Sequence, residues 1–339
     1  MNNARIATLT ALAAVAAFTL TSCAGGSAAS DGGGGETEVA AVTDVSIVVP
    51  ADPGGGWDQT GRALSQVLTE EDIVGSAPVT NVGGAGGTVG LAQLANEKDP
   101  NTLMVMGLVM VGAVETNASA VRIEDTTPIA RLTDEPLVVV VPADSKYDTL
   151  EDLVEDIADN GQSVTITGGS AGGADHILAG LMLEDAGLDG AEIAEKLNYT
   201  PNSGGGEAVP LLIGGKVAAG ISGVGEFAQH VESGDLRALA VSSEEPVPQL
   251  PDVPTITEEG YDVVLTNWRG VIAPGGISDG EKDELVRVIT ELHESEAWTD
   301  QLETKGWADA FLVGAEFDDF LTGDIEEVTA TLKNIGLVQ

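Results

Sequence analysis

The stretch of residues 50–58, which reads Pro-Ala-Asp-Pro-Gly-Gly-Gly-Trp-Asp, constrains the fold of this chain more than any other. An apolar run at 45–49 leads into it, and hydrophobic side chains follow it at helical spacing over 63–68. This order predicts a strand, a glycine turn and the start of a helix. Glycines let the backbone approach a ligand, and the first N–H groups of a helix attract an anion. The alternative interpretation is a plain tight turn that binds nothing.

The same order occurs twice more, and it predicts an α/β fold. Residues 79–90 and residues 164–173 each read as a strand that enters a glycine-rich turn before a helix. Val89 stands where a dinucleotide fingerprint needs its third glycine, so the second turn does not predict nucleotide binding. Residues 137–141 are apolar and mostly β-branched, which is typical of a strand buried on both faces in a parallel sheet. The simplest architecture is two α/β lobes with a ligand cleft between them.

The charge of the chain excludes some partners. It has 55 acidic residues against 14 basic ones, which gives a net charge of −41. A surface this acidic argues against binding nucleic acid or anionic lipid. It would also repel an anionic ligand at long range, so local backbone N–H groups would have to bind one. Screening over about 8 Å at physiological salt reduces that repulsion.

The N-terminal residues predict export and a lipid anchor. An apolar run at 6–20 follows a short polar start and is too short and too weakly flanked to predict a spanning helix. Residues 20–23, Leu-Thr-Ser-Cys, resemble a bacterial lipobox, so we expect Cys23 to be lipidated after cleavage of the signal peptide at residues 1–23. The alternative is an ordinary signal peptide with a chance cysteine. Residues 24–43 are small and polar, which predicts a flexible tether to a membrane face.

An ordered set of motifs covers nearly everything beyond this tether. In chain order they are Pro53-Gly54-Gly55-Gly56, Gly84-Ala85-Gly86-Gly87, Tyr147 with Thr149-Leu150, Gly168 with Ser170 and His176, Gly204-Gly205-Gly206-Glu207-Ala208, Gly214-Gly215-Lys216-Val217, Leu236-Arg237-Ala238-Leu239, Leu250-Pro251-Asp252-Val253-Pro254, Gly260-Tyr261 and Trp268-Arg269-Gly270. The set resembles the substrate-binding proteins of tripartite tricarboxylate transporters, which are extracytoplasmic receptors of the TctC/Bug type. The form Asn267-Trp268-Arg269-Gly270 is similar to the tricarboxylate-receptor branch.

The resemblance implies a type II periplasmic-binding-protein fold, in which two α/β lobes joined by crossing hinge strands close over a ligand. We expect residues 44–140 and 250–339 to form lobe 1 and residues 141–249 to form lobe 2. The return crossing is expected near Glu245 or near Trp268. The resemblance also implies binding without catalysis or a cofactor. The ligand would be a small carboxylate such as citrate, another di- or tricarboxylate, or an amino acid, and two integral-membrane subunits would receive it from a monomeric receptor.

The resemblance further implies that backbone N–H groups of the first and third glycine turns hold one ligand carboxylate. The residues concerned are Gly54, Gly55, Gly56, Trp57 and Asp58 in one lobe and Ser170, Ala171, Gly172 and Gly173 in the other. Further candidates near the expected cleft are Asn81, Gly86, His176, Gly205, Ser222 and Glu226. Two departures from the family pattern leave the ligand open. Trp57 stands where many members have Thr or Ser, and Ala218 stands where many have Asp.

Ser170 supports a rival interpretation, because it lies in a G-x-S-x-G sequence between a strand and a helix. That pattern is typical of the nucleophile of α/β-hydrolases, which also need an acid and a histidine further along the chain. The three histidines are poorly placed for this role. His176, for example, lies in the helix that follows directly after the turn. A third interpretation is a sensory or scaffolding lipoprotein that contacts a signalling partner when closed.

Several candidates have a structural alternative beside the functional one. Trp57 would pack over the ligand or cover the start of its helix, and Asn81 would face the cleft or brace a turn. His176 would bind ligand or satisfy a hydrogen bond inside its lobe. Arg269 would pair with a ligand carboxylate or with an acidic neighbour. Glu226 would bind ligand hydroxyls or an accompanying cation, or complement a helix dipole, and no cluster has the spacing of a metal site.

Overall fold

The structure is a computed structural model that describes residues 40–338. The signal peptide with Cys23, and residues 24–39 of the tether, lie outside the described residues. The strands are β1 (Ser46–Val49), β2 (Val79–Asn81), β3 (Thr102–Gly107), β4 (Thr127–Asp134), β5 (Leu137–Pro142), β6 (Thr165–Gly168), β7 (Asn198–Pro201), β8 (Ala219–Gly223), β9 (Leu236–Val241), β10 (Arg269–Ala273) and β11 (Ala308–Val313). The helices are α1 (Gly56–Glu70), α2 (Thr88–Leu94), α3 (Leu108–Thr116), α4 (Leu150–Asn160), α5 (Ala174–Asp185), α6 (Gly190–Lys196), α7 (Gly205–Ile213), α8 (Val224–Glu232), α9 (Asp279–His293), α10 (Glu296–Lys305) and α11 (Gly314–Asn334).

Two sheets form the cores of two lobes. The sheet of lobe 1 has the order β11-β4-β10-β3-β1-β2, and that of lobe 2 has the order β7-β6-β8-β5-β9. In lobe 1, β1 runs parallel to β2 and β3, whereas β10 runs antiparallel to β3 and β4. In lobe 2, β6 runs parallel to β7 and β8. The three predicted strand–glycine–helix units are confirmed as β1 to α1, β2 to α2 and β6 to α5.

Strand β5 differs from the prediction in its direction. All of its residues are buried, as the apolar run of 137–141 predicts. It nevertheless runs antiparallel to both neighbours, β8 and β9. Helices on both faces bury a strand whatever its direction, so the hydrophobic run predicts burial but does not predict the direction of the strand.

The chain crosses between the lobes twice, and the crossings place the lobe boundaries away from 140 and 250. Glu135 and Pro136 join β4 of lobe 1 to β5 of lobe 2, so residue 140 lies inside a strand of lobe 2. After β9 the chain stays on lobe 2, because Leu250 packs into the smaller hydrophobic core of that lobe. It returns beside the first crossing, where Thr266 pairs with Pro136 and the Asn267 N–H donates to the Glu135 carbonyl at 2.8 Å.

Helix α1 shows how the sequence positions the first glycine turn. Leu64 and Leu68 are fully buried, and each such side chain contributes about 1.5–3 kcal/mol to folding. Gly61 faces β1 so closely that a Cβ there would lie 2.3 Å from the Val49 side chain. The helix therefore lies against β1, and its first residues are held at the carboxyl end of that strand. None of the helices in the described part of the chain has the length and hydrophobicity to cross a membrane.

Candidate ligand-binding site

A cavity of about 310 Å³ lies between the lobes, at the ends of β1, β2, β6, β7 and β8. Open α/β sheets bind ligands at the carboxyl ends of their strands. The predicted site residues that line this cavity are Gly55, Gly56, Trp57, Gly86, Ser170, Ala171, Ser222 and Glu226. The candidates Gly54, Asp58, Asn81, Gly172, Gly173, His176 and Gly205 are not among its lining residues.

The start of α1 forms one wall of the cavity. Gly54 has φ +103, a conformation that only glycine adopts readily, and it directs the backbone into the helix. Gly55 caps the helix and Gly56 is its first residue, and both line the cavity. The first N–H groups of a helix have no partner within it, so this wall suits a negatively charged group.

Asp58 and Asn81 brace this turn from inside lobe 1. The Asp58 carboxylate accepts hydrogen bonds from the Gly54 N–H at 2.9 Å, from Arg62 at 2.8 Å and from Asn81 at 2.9 Å. Burial raises the pKa of Asp58, but these hydrogen bonds, with that from Arg62 first, outweigh burial and lower the pKa overall. The ionised carboxylate fixes the turn, and both residues support the cavity wall from behind.

Trp57 packs on the second glycine turn and also reaches the cavity. Trp57 is 8% exposed, and its ring occupies the space into which a side chain at position 87 would project. A Cβ at Gly87 would lie 2.7 Å from that ring. The ring therefore covers the second glycine turn, which neither alternative for Trp57 named, and the residue also lines the cavity.

His176 holds the third glycine turn from the inside. Its Nδ1 accepts the Gly172 N–H at 3.1 Å, and its ring stacks on Tyr199 at a centroid distance of 4.1 Å. Burial lowers the pKa of His176 to about 4, so the imidazole is neutral and acts as an acceptor. Gly172 has φ +74. The turn thereby presents Ser170 and Ala171 to the cavity, while Gly172, Gly173 and His176 stay behind them.

Carboxyl groups gather at the buried end of the cavity. The Ser222 hydroxyl donates to Glu226 at 2.6 Å, and the Gly169 N–H donates to Asp175. Burial raises the pKa of Asp175 to about 7, against that hydrogen bond. Burial also raises the pKa of Glu226, and the charge of Glu135 adds to the effect. Gly205 stands behind this group, since a Cβ there would lie 2.6 Å from the Ser222 hydroxyl.

Against the effect of burial, the charge of Arg269 lowers the pKa of both of these carboxyl groups. Arg269 is 2% exposed, forms an ion pair with the equally buried Glu135, and lines the cavity. Its guanidinium lies against the start of α1, because a Cβ at Gly56 would lie 2.4 Å from Nη2. The acidic neighbour foreseen for Arg269 is therefore Glu135, at the first crossing between the lobes.

The lobes contact each other around the cavity. The Ser203 hydroxyl of lobe 2 donates to Asp52 of lobe 1 at 3.1 Å, and Thr116 of α3 donates to the Ala171 carbonyl at 3.4 Å. Gly112 of α3 is so close to the third turn that a Cβ would lie 1.9 Å from the Gly172 carbonyl. These contacts close the cavity on two sides.

The sequence of most of the described body matches one family model. Residues 63–337 match the model described as the tripartite tricarboxylate transporter family receptor. The chain belongs to this receptor family. Its members are extracytoplasmic binding receptors and not enzymes, and the recognition made from the motifs is confirmed.

Relatives of the receptor agree with this assignment over most of their length. BugT of Bordetella pertussis is 29% identical over 303 residues, which cover 86% of this chain and 89% of BugT. Among solved structures, the periplasmic binding protein BugD has a TM-score of 0.75 at 24% identity and covers 87% of this chain and 98% of its own. MatC of Rhodopseudomonas palustris, with bound malate, has a TM-score of 0.71 at 21% identity. The match covers 85% of this chain and 98% of MatC. These likenesses confirm the expected two-lobed binding-protein fold.

The receptor gives no support to a hydrolase based on Ser170. Among residues 40–338 no histidine is hydrogen bonded to the Ser170 hydroxyl, and His176 is used by Gly172 and Tyr199. The same range holds no group of three or more histidine, cysteine or acidic side chains that could bind a metal ion. The arrangement is suited to holding a small polar molecule between two lobes.

Some lining residues of the receptor were not singled out from the sequence. Asp175 follows the third turn in the first turn of α5, where it reads as a carboxylate that complements the helix dipole. Ser203 and Gly204 precede α7 after β7, which makes a further strand–glycine–helix unit. The remaining additions are Pro50, Ala51, Asp52, Gly84, Ala85, Gly87, Val109, Asn117, Gly169, Pro201, Asn202 and Asn267.

Proposed function

We propose that this receptor captures a small di- or tricarboxylate, such as citrate, in the cavity and delivers it to the two membrane subunits of a tripartite transporter. The observation that carries the proposal is the convergence of two glycine turns on one cavity. Gly55 and Gly56 approach it from lobe 1, and Ser170 and Ala171 approach it from lobe 2. Neighbours in fold support the ligand class, since one was solved with malate and another with adipate.

Backbone N–H groups suit this task in so acidic a chain. Their partial positive charge does not depend on side-chain ionisation, and it acts at hydrogen-bond distance. A hydrogen bond to a charged group contributes about 1.5–3 kcal/mol. A handful can support micromolar binding, about 8 kcal/mol. Long-range repulsion by the net charge of −41 would slow capture more than it would weaken the bound state.

The proposal includes an anchor outside the cytoplasm. Cys23 would carry lipid, and residues 24–43 would tether the two lobes to the membrane face on which the transporter subunits open. A single acyl chain gives only marginal membrane binding, so stable anchoring needs more than one chain. Mass measurement of the mature N-terminal peptide, with a Cys23→Ser variant as control, would show whether Cys23 is lipidated.

A thermal-shift screen of residues 40–339 against carboxylates, amino acids and simple esters tests the ligand class. A ligand at about a hundredfold its Kd should raise the free energy of unfolding by about 2.7 kcal/mol. Gly55→Leu should abolish the shift, because a Cβ at Gly55 meets only the Ser203 carbonyl at 3.8 Å and the larger side chain would occupy the cavity.

Gly206→Leu is the matched control, since a Cβ at Gly206 has nothing within 4 Å. A citrate shift that survives Gly206→Leu and is lost in Gly55→Leu supports the proposal. Stabilisation by esters alone, or by no carboxylate in the panel, would refute it.

A further inference from the structure

Asp175 and Glu226 place two carboxyl groups beside a cavity that is proposed to hold an anion. Asp175 is 6% exposed, and both residues line the cavity. Glu226 accepts from the Ser222 hydroxyl, and Asp175 accepts from the Gly169 N–H. A carboxylate offers about four acceptor positions. Each group therefore has positions left to accept a hydrogen bond from a ligand.

Two buried residues that line the cavity each have polar atoms without a hydrogen-bond partner within the described residues. Arg269 uses one nitrogen for Glu135, while its Nε and Nη1 are buried without a hydrogen bond. The Oδ1 atom of Asn267 is also buried and unpaired, and both residues line the cavity. Buried polar atoms without partners are rare in native proteins. A polar ligand at this end of the cavity would supply partners for them.

We propose that Glu226, assisted by Asp175, selects a ligand whose far end donates a hydrogen bond, and that a second carboxylate is accepted there only together with a proton. This inference rests on the proposed function and specifies its ligand. The glycine turns would hold the first carboxylate. The end of the ligand away from the glycine turns would meet acceptors on Glu226 and Asp175 and donors on Arg269. A hydroxyl or a protonated carboxyl group can both donate and accept, so it satisfies this combination.

The charges around Glu226 explain why the proton is needed. Arg269 is paired with Glu135, and burial and the charge of Glu135 raise the pKa of Asp175 and Glu226 more than the charge of Arg269 lowers it. The other titratable groups that face this end are Tyr199 and His176, which are both neutral near pH 7 because burial raises the pKa of Tyr199 and lowers that of His176. Asp52 also lines the cavity. An ionised ligand carboxylate beside ionised Asp175 and Glu226 would bring like charges together, so we expect this group of three carboxyls to take up a proton when the ligand binds.

Calorimetric titration of the wild-type receptor with 4-hydroxybutyrate, succinate and butyrate tests this selection. The three ligands share one carboxylate and a similar length, and they differ at the far end. We expect 4-hydroxybutyrate to bind about tenfold more tightly than butyrate at about pH 6 and about pH 8, since a hydrogen bond to a charged group is gained. Succinate should bind about tenfold more tightly at the lower pH. Its binding heat should change with the ionisation heat of the buffer, because a proton is taken up.

Glu226→Gln should abolish the proton uptake that accompanies succinate and weaken 4-hydroxybutyrate about tenfold. Glu232→Gln is the matched control, because Glu232 is an exposed residue of the same helix, α8. The wild-type measurements stand on their own if Glu226→Gln does not fold.

The outcomes separate this inference from the proposed function. Succinate binding that is equally tight at both pH values without proton uptake, or 4-hydroxybutyrate no better than butyrate, would overturn the selection and leave carboxylate capture intact. If the thermal-shift screen finds no carboxylate ligand and these three also fail to bind, the proposed function falls and this inference falls with it.

Discussion

Asp175 is a residue whose surroundings change its acid–base behaviour. It lies in the first turn of α5, where the helix dipole and the Gly169 N–H favour the ionised form. Burial outweighs both and raises the pKa from 3.8 to about 7, with the charges of Glu226 and Glu135 adding to the effect. The folded protein therefore holds the proton more tightly than the unfolded chain does.

This shift predicts a pH-dependent stability. Between about pH 4 and pH 7 the native state binds more protons than the unfolded state, so the free energy of unfolding falls as the pH rises through that range. Asp175→Asn cannot ionise and keeps an oxygen for the Gly169 N–H. We expect the variant to flatten this part of the curve and to be more stable than wild type at about pH 8, as measured by urea unfolding at a series of pH values.

Asp156→Asn provides a comparison at a residue whose pKa is shifted in the opposite direction. The hydrogen bond from Lys146, then that from Tyr147, lowers the pKa of Asp156 to about 2. Its contribution to stability is present above the unfolded pKa and is lost as the pH falls towards 2. The variant should therefore be less stable by a constant amount above about pH 4, and the slope of its curve should change only in the acid limb. An Asp175→Asn curve parallel to wild type between about pH 4 and pH 7 would contradict the assignment.

Side-chain contacts hold the two crossings between the lobes together. Glu135 on the first and Arg269 at the end of the second form a buried ion pair, and Glu135 also accepts the Gly225 N–H of α8 at 3.1 Å. The Arg269 guanidinium lies 5.4 Å from the Trp307 ring centroid, a distance suited to a cation–π contact. The hinge strands are thus tied to each other beside the cavity.

Glu135→Ala should destabilise the protein strongly. Removing one partner of a buried pair leaves an uncompensated charge, which costs about 3–5 kcal/mol. Urea unfolding would measure the loss. Glu115→Ala is the control, because the Glu115–Arg122 pair is partly exposed and such a pair is worth about 0–1 kcal/mol. Equal losses in the two variants would show that the hinge pair is no more important than a surface pair.

The glycine turns could be predicted from sequence, whereas the identity of the acidic partner of Arg269 could not. Residues 54–56 and 168–173 are local signals, since a strand, glycines and a helix follow each other directly along the chain. The Glu135–Arg269 pair joins residues far apart in sequence, and neither flanking segment shows which acid meets which base. The direction of β5 and the position of the first crossing depend on strand partners in the same way. Asp175 was missed because a helix-start carboxylate has an ordinary local explanation.

For the whole molecule, α11 connects the lobes in addition to the two crossings. It begins directly after β11 of lobe 1, yet its far end packs on lobe 2. A Cβ at Gly180 of α5 would lie 2.6 Å from the Ile335 side chain, and one at Gly190 of α6 would lie 2.3 Å from the Asn334 carbonyl. Closure of the cavity must therefore move this contact or bend the helix, so the end of α11 restrains the relative motion of the lobes.

Gly190→Ala should release this restraint. The added methyl group has to displace the Asn334 carbonyl, and overpacking of this kind costs about 1–3 kcal/mol. We expect a lower unfolding temperature and, by small-angle scattering, a larger radius of gyration for the ligand-free protein. Gly323→Ala on α11 is the control, because a Cβ there meets nothing within 4 Å and should stabilise the helix by about 0.5–1 kcal/mol. A Gly190→Ala protein that is destabilised but keeps the wild-type radius would mean that the two crossings alone set the arrangement of the lobes.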